Sequence, residues 1–298
     1  MLKKMNFKKY WQLYLLLVPA VFYVLIFSYG PMYGIIIAFK DYKPKLGYWG
    51  SEWVGLEHFI RFLKYPDFWK LIRNTLSISI YTLLTFPCAI ILALLFNELK
   101  NGVFKKTVQM VTYAPYFLSM VVMCSLVILM VGRDGPLGHL YGWITGEATD
   151  LLTIPSYFSS IYVWSGVWQT TGWGTIIYLA ALSGVSPELI ESAKIDGAGR
   201  FQIIRHVNLP CIMPTIIIMF IMNTGNILSV GFEKIFLLQN DLNLETSRVL
   251  STYVYEIGLL GGQFSYSTAI GLFNNVLNIL TLFISNKIAK KVSGTGLW

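Results

Sequence analysis

Residues 191–210, ESAKIDGAGRFQIIRHVNLP, are the most polar twenty in the second half of an otherwise apolar chain. Two short amphipathic segments meet at Gly197-Ala198-Gly199, and an apolar run begins directly after Pro210. Just upstream, Ser186-Pro187-Glu188 has the order of a helix start: a serine cap, a proline at the first helical position and an acid in the first turn. Leu189, Ile190, Ala193 and Ile195 supply apolar surface, while Glu188, Glu191 and Lys194 supply charge. Gly197 and Gly199 permit a sharp turn with positive φ, and a second short helix is predicted over 200–207. The stretch reads as a rigid helix–turn–helix that shows a mixed apolar and charged surface to water. Such a surface suits docking in a partner's cleft; the alternative is a segment lying on lipid headgroups.

The surroundings of this elbow set its meaning. The chain has 298 residues, 55% of them hydrophobic and only 13% charged, with a mean hydropathy of +0.59. A soluble domain carries about 25% charge, so the solvent here is largely lipid. The net charge of +8 is scattered between apolar runs and forms no single basic face. A membrane surface, and not nucleic acid, is its expected partner. Cys88, Cys124 and Cys211 stand alone without metal or CxxC spacing and read as packing residues, and His58, His139 and His206 are equally dispersed. No metal site is expected.

Charge-free windows predict six membrane-crossing helices, over 11–39, 74–97, 107–132, 156–182, 211–232 and 257–286. The basic start followed by an apolar core too long for a signal peptide reads as a retained first span. With the N-terminus inside, the inner segments carry thirteen Lys/Arg, whereas the outer loops 133–150 and 233–256 carry three and are net acidic. Loop 40–73 runs against this trend, with seven Lys/Arg against four acids. Its part WVGLEHFIRFLKYPDFW is aromatic and amphipathic, as expected of a segment in the interface. Both termini are therefore expected in the cytoplasm, and the elbow with them. Pro19, Pro31, Pro87, Pro115 and Pro214 punctuate the spans.

E-S-A-x-x-x-G, nine residues, then V-x-L-P resembles the EAA signature of binding-protein-dependent type I ABC-importer permeases, E-A-A-x-x-x-G-x9-I-x-L-P. Glu191, Ala193, Gly197, Leu209 and Pro210 match it, Ser192 and Val207 are mild changes, and Asp196 and Ala198 complete the D-G-A common there. The resemblance covers residues 72–290. It is closest to the maltose-permease-like superfamily and to its polysaccharide/oligosaccharide permease branch of Gram-positive bacteria, which the opening KKYWQLYLLLVPAVFYVLIFSYGPMYGIIIAFKDYKP and the stretch WVGLEHFIRFL resemble. It implies an all-α, six-helix permease organised as 1–71 (cytoplasmic start, first helix, outer loop) and 72–290 (permease core), with a coupling-helix elbow at 187–209. It implies also that the elbow sits in a groove of a separate cytoplasmic ATPase, that Glu191 pairs with a basic residue there, and that Phe201 and Ile204 brace the elbow against the bundle. The expected partners are a second, homologous permease subunit, two ATPase copies, an extracellular solute-binding protein and an oligosaccharide.

No GxxxxGK[ST] occurs, so ATP and magnesium belong to the partner ATPase and no cofactor is expected in this chain. No HExxH or GxSxG suggests catalysis, and no acid or base lies near the centre of a span, which argues against proton- or sodium-coupled transport. The third span offers Tyr113, Tyr116 and Ser119, the fourth Gln169 and Thr170, and the fifth Asn223, Asn226 and Ser229 at i, i+3, i+6. Amides buried in lipid need a cavity or one another, so these residues line a sugar pathway or bond neighbouring helices. The resemblance places sugar contacts at matching positions. Other readings are a type I importer of a non-sugar solute, and a membrane-embedded enzyme acting on lipid-linked sugars through Asp134, Glu233 or Asp241.

Overall fold

Proline and glycine interrupt several helices inside windows that hydropathy alone reads as continuous. A computed structural model describes residues 7–298; the basic start, residues 1–6, lies outside them. Among the described residues, five helices are long and apolar enough to cross a membrane: Trp11–Phe39, Phe68–Glu98, Met120–Thr145, Arg200–Thr224 and Phe264–Ser293. A sixth forms if Pro155–Ser183 and Pro187–Ile195, bent by 76° at a short break, count as one. The first span matches its predicted limits, and its apolar side chains stand exposed.

Four predicted spans differ from the observed ones; the second, expected over 74–97, runs from Phe68 to Glu98 with a turn at Thr85-Phe86 before Pro87. The third, predicted as continuous over 107–132, is broken into Val103–Tyr113 and Met120–Val131 by the tight turn Ala114–Phe117, and the stretch long enough to cross is Met120–Thr145, which takes in much of the predicted outer loop 133–150. Pro115 cannot continue an ordinary helical ladder, and Ser119 caps the second piece by accepting the Val122 N–H at 3.4 Å. The fifth stops at Thr224, not Phe232, where turns over 225–228 and irregular chain to Gly231 replace the helix. The sixth begins at Phe264, not at 257, since Gly261-Gly262 breaks the chain and Gly262 takes φ +65°.

The chain divides into two compact units. One comprises Met1–Tyr65 and Val254–Phe273. It holds a two-residue antiparallel ladder, Lys40–Asp41 against Glu52–Trp53. The Tyr42 N–H donates to Ser265 Oγ at 2.9 Å, and the Arg61 guanidinium lies 4.3 Å over the Tyr266 ring. Phe62 packs edge-on to Phe273, so the predicted interfacial segment buries one of its aromatic residues in its own unit.

The other unit comprises Pro66–Tyr253 and Asn274–Trp298. One apolar cluster, around Ile78, Met123, Phe158, Ile235 and Val249, joins the second, third and fourth spans to the segment after the fifth. A second cluster packs Ile90 and Leu94 against Tyr178, Leu182 and Ile212. Buried amides add direction to this packing. Asn74 Nδ2 donates to the Glu245 and Arg248 carbonyls at 2.9 and 3.1 Å, and Asn243 Nδ2 donates to the Leu152 and Leu238 carbonyls at 3.0 and 3.2 Å. Each such bond contributes about 1 kcal/mol, and losing one partner leaves the other buried and unpaired.

Candidate functional site: an exposed elbow and a broken polar stripe

The elbow is built as its residues require. Helix Pro187–Ile195 starts at Ser186, whose Oγ accepts the Glu188 N–H at 3.3 Å. It closes with the Ala198 N–H on the Ala193 carbonyl (2.9 Å) and the Gly197 N–H on that of Lys194 (3.0 Å). Gly197 adopts φ +80°, the left-handed turn that glycine permits. The Gly199 N–H then donates to Gln202 Oε1 at 2.7 Å and opens helix Arg200–Ile203, which enters the fifth span through the π turn Ile204–Asn208. Glu191, Ser192 and Asp196 are exposed, Ala193 and Leu209 are half-buried, and Pro210 is exposed. Ile195 (86%) and Phe201 (73%) point to solvent beside these charges.

That exposure corrects the bracing role expected of Phe201. Ile203 is the buried residue of the short helix, while half-buried Ile204 packs on the apolar cluster as expected. Positions two apart on a helix are separated by about 200°, so Phe201 and Ile203 face opposite sides. The elbow therefore offers exposed charges of both signs, Glu188, Glu191 and Asp196 beside Lys194, Arg200 and Arg205, together with exposed apolar side chains.

The residues expected along the pathway fall into two groups. In the first, the break in the third span lies against the middle of the fourth, Phe158–Ser183. The Tyr113 hydroxyl is 3.2 Å from Thr175 Oγ1, and the Tyr116 ring stacks on Trp173 at 4.7 Å with 4° between planes. Phe117 stands edge-on to both rings. Tyr116 and Trp173 are each about two-fifths exposed, and an open groove of about 500 Å³ is lined by Tyr113, Phe117, Gln109 and Lys106. Thr170, exposed, donates to the Gly166 carbonyl at 2.9 Å. Gln169 is buried, so it cannot share a surface with Thr170; neighbours on a helix are turned by about 100°.

In the second group, Asn223, Asn226 and Ser229 are all exposed, but they do not form one helical face, because the helix ends at Thr224. Asn223 Nδ2 donates to the Met219 carbonyl at 2.8 Å and Asn226 Nδ2 to that of Met222 at 3.3 Å. Ser229 Oγ instead accepts from Asn278 Nδ2 of the sixth span at 2.8 Å. Among the described residues no hydrogen bond joins the two groups.

Sequence reasoning missed Trp173, Asn278 and Lys234. Asn278 carried the same signal as Asn226, an amide within an apolar run. Lys234 lies in helix Phe232–Leu238, after the fifth span, and is only 5% exposed. Its ammonium donates to the Tyr162 carbonyl at 2.7 Å and sits 4.7 Å over that ring. No carboxylate comes within ion-pair distance of it among the described residues. Burial pushes its pKa down from 10.5 to about 8. Between about 8 and 10.5 the unfolded chain holds the proton and the folded chain does not, so stability rises with pH across that window. Below about 8 the burial penalty is present in full. Thermal unfolding from pH 8 to 10 is expected to show the wild type gaining about 2–3 kcal/mol more than Lys234→Met; equal gains would mean that the amine is not desolvated.

Comparison with known proteins adds the following. Residues 68–294 match the family described as the binding-protein-dependent transport system inner membrane component. The chain is 45% identical over 288 residues to Protein LplB of Bacillus subtilis (strain 168), covering 96% of this chain and 91% of that protein. It is 44% identical over 288 residues to the polygalacturonan/rhamnogalacturonan transport system permease protein YteP of the same organism, covering 96% and 90%. Among solved structures, a bacterial ABC transporter involved in the import of the acidic polysaccharide alginate superposes with a TM-score of 0.87 at 38% identity, over 97% of this chain and 98% of that one. A bacterial alginate ABC transporter in complex with an alginate pentasaccharide-bound periplasmic protein gives 0.88 at 37%, over 98% of each.

Proposed function

The chain belongs to the binding-protein-dependent transport system inner membrane components, multi-pass membrane permeases, and from that premise we propose that it is the permease subunit of an ATP-driven importer of acidic oligosaccharides. The observation that carries this reading is the match, over nearly the whole chain, to an alginate transporter and to a polygalacturonan/rhamnogalacturonan permease. Alginate is named as acidic, and a polygalacturonan is a chain of uronates; the chemistry common to the two is a carboxylated sugar.

In this reading both termini and the elbow face the cytosol. Exposed Glu191, Ser192 and Asp196, together with Ile195 and Phe201, enter a groove of a separate ATPase, which binds ATP and magnesium. Closure of two ATPase copies pushes the elbow helix. The fifth span is continuous with the elbow from Arg200 to Thr224, so it receives that displacement directly. The displacement rocks this permease against a second, homologous one and shifts the pathway between inward and outward openings. A docked binding protein then delivers the sugar to the aromatic and hydroxyl groups around Tyr113, Tyr116, Thr170, Asn223, Asn226 and Ser229.

Vesicles holding the permease pair and the ATPase, with binding protein on the outer side and ATP within, are the direct test. Uptake of oligogalacturonate is expected to need both ATP and binding protein, and to exceed uptake of a neutral maltooligosaccharide of equal length at least tenfold. Equal or faster uptake of the neutral sugar would overturn the acidic assignment.

A further inference from the structure

Of the helix Arg200–Thr224, the first ten residues belong to the charged elbow, and its apolar part begins at Pro210. From Pro210 to Thr224 a helix rises about 22 Å, against a hydrocarbon layer of about 30 Å, so the turns and irregular chain from Gly225 to Gly231 lie at membrane depth. Irregular backbone is tolerated there only where protein buries it or where it lines a wet cavity.

Part of this segment satisfies itself. The N–H groups of Gly225, Asn226, Ile227 and Ser229 reach the carbonyls of Ile221, Asn223, Thr224 and Asn226 at 3.0, 3.2, 3.2 and 2.9 Å. The Leu228 N–H finds no acceptor within its own segment and donates instead to Asn278 Oδ1 at 3.0 Å. The same amide's Nδ2 donates to Ser229 Oγ at 2.8 Å. One buried side chain of the sixth span thus clamps two consecutive residues of the broken fifth. Close packing extends the clamp by one turn, since a Cβ on Gly225 would lie 2.7 Å from Leu282 Cδ1. Meanwhile the carbonyls of Gly225, Ile227 and Ser229 accept no hydrogen bond from the described residues. Acceptors left open at this depth require water or a donor-rich ligand.

We infer that Asn278 is a positioning residue of the transport pathway: its amide holds the fifth span open at 225–231. The side chains of Asn226 and Ser229 and the open carbonyls then face the hydroxyl groups of a passing oligosaccharide. Asn278 itself is 7% exposed and does not meet the sugar. The ligand chemistry follows from the acceptors, because a carbonyl row takes hydroxyl donors. The inference rests on the transport reading above and adds to it the span that shapes the subsite.

The test uses the assembled transporter in lipid, with Asn278→Leu, Asn278→Gln and Asn278→Asp, read by amide hydrogen exchange and by uptake kinetics with galacturonate trimer to pentamer. Leu removes both hydrogen bonds. Gln moves the amide by one methylene, so it cannot keep both. Asp keeps an acceptor for the Leu228 N–H and another for the Ser229 hydroxyl. Exchange at Leu228 is expected to rise at least tenfold in Asn278→Leu, with KM for uptake up about tenfold and kcat within threefold. Asn278→Asp is expected to return both within threefold of wild type. Faster exchange with unchanged KM, or a lowered kcat with unchanged KM, would reduce Asn278 to structural glue and overturn the proposal. If Asn278→Leu does not assemble, Asn278→Gln decides: a raised KM supports the clamp and a wild-type KM overturns it. Absence of uptake in the wild type refutes the substrate reading alone; the exchange arm still reads the clamp, and unchanged Leu228 exchange in the substituted protein overturns it.

Discussion

Glu191→Lys and Gly197→Asp are each expected to abolish ATP-dependent uptake while the permease accumulates in the membrane at its normal level. Glu191 is exposed, and among the described residues no hydrogen bond or ion pair holds its carboxylate. Reversing its charge therefore costs the fold little; exposed substitutions away from structural features stay within about 0.5 kcal/mol. What changes is the sign of the carboxylate that a basic residue of the groove would pair with. Gly197 fails by another route. Its φ of +80° lies where a side chain costs about 1–2 kcal/mol. An aspartate there also doubles the negative charge beside Asp196 and reshapes the turn between the two elbow helices. Uptake into vesicles and the amount of permease retained in the membrane fraction give the two readouts. Normal transport by both variants would remove the coupling role from the elbow.

The two halves of that prediction were legible to different degrees. The elbow is written in local chemistry: the Ser-Pro-Glu start forms as read and Gly197 takes the positive φ the turn needs, whereas Gly199, read the same way, is extended at φ −73°. The existence of the spans was legible for the same kind of reason, since charge is absent over about 20 residues wherever hydrocarbon must be crossed. Their limits were not. Hydropathy counts side chains, whereas the breaks at Pro115, Gly225 and Gly261-Gly262 are backbone events inside windows that remain apolar. The polar stripe of the fifth span was therefore read as a helical face that the backbone does not provide.

Tertiary partners were the least legible. Asn278 and Asn226 look alike in sequence, but one is buried across two spans and the other is exposed. Lys234 carries a charge in what reads as an outer loop, and only the fold reveals that it is buried against Tyr162. Phe201 belongs to a four-residue helix, too short for periodicity to say which side faces inward. In each case the missing information is the position of another segment far away in sequence.

Gly172→Ala is expected to be the most damaging small substitution in the permease core. A Cβ at Gly172 would collide with the Thr112 carbonyl oxygen and lie 2.5 Å from its carbon and 3.1 Å from the Tyr113 nitrogen. All three are backbone atoms, so no side-chain rotation relieves the clash, and the third and fourth spans must move apart. Overpacking of this kind costs about 1–3 kcal/mol. Separation would also loosen the Tyr113–Thr175 hydrogen bond at 3.2 Å and the Tyr116–Trp173 stack at 4.7 Å, together worth about 1–3 kcal/mol more. At about 2–4 °C per kcal/mol for a chain of this size, the melting temperature should fall by roughly 10 °C. Gly271→Ala provides the contrast, because its Cβ would meet nothing within 4 Å; alanine in a helix interior should leave stability unchanged or raise it by up to about 1 kcal/mol. Function should follow the same geometry. The groove beside Tyr113 and the stacked ring pair sit on the two spans that Gly172 brings together, so whatever Gly172→Ala protein remains folded should show weaker sugar affinity as well as a lower melting point. Should the variant melt within a degree of the wild type, the close approach of these spans, and the aromatic platform built on it, would have to be abandoned.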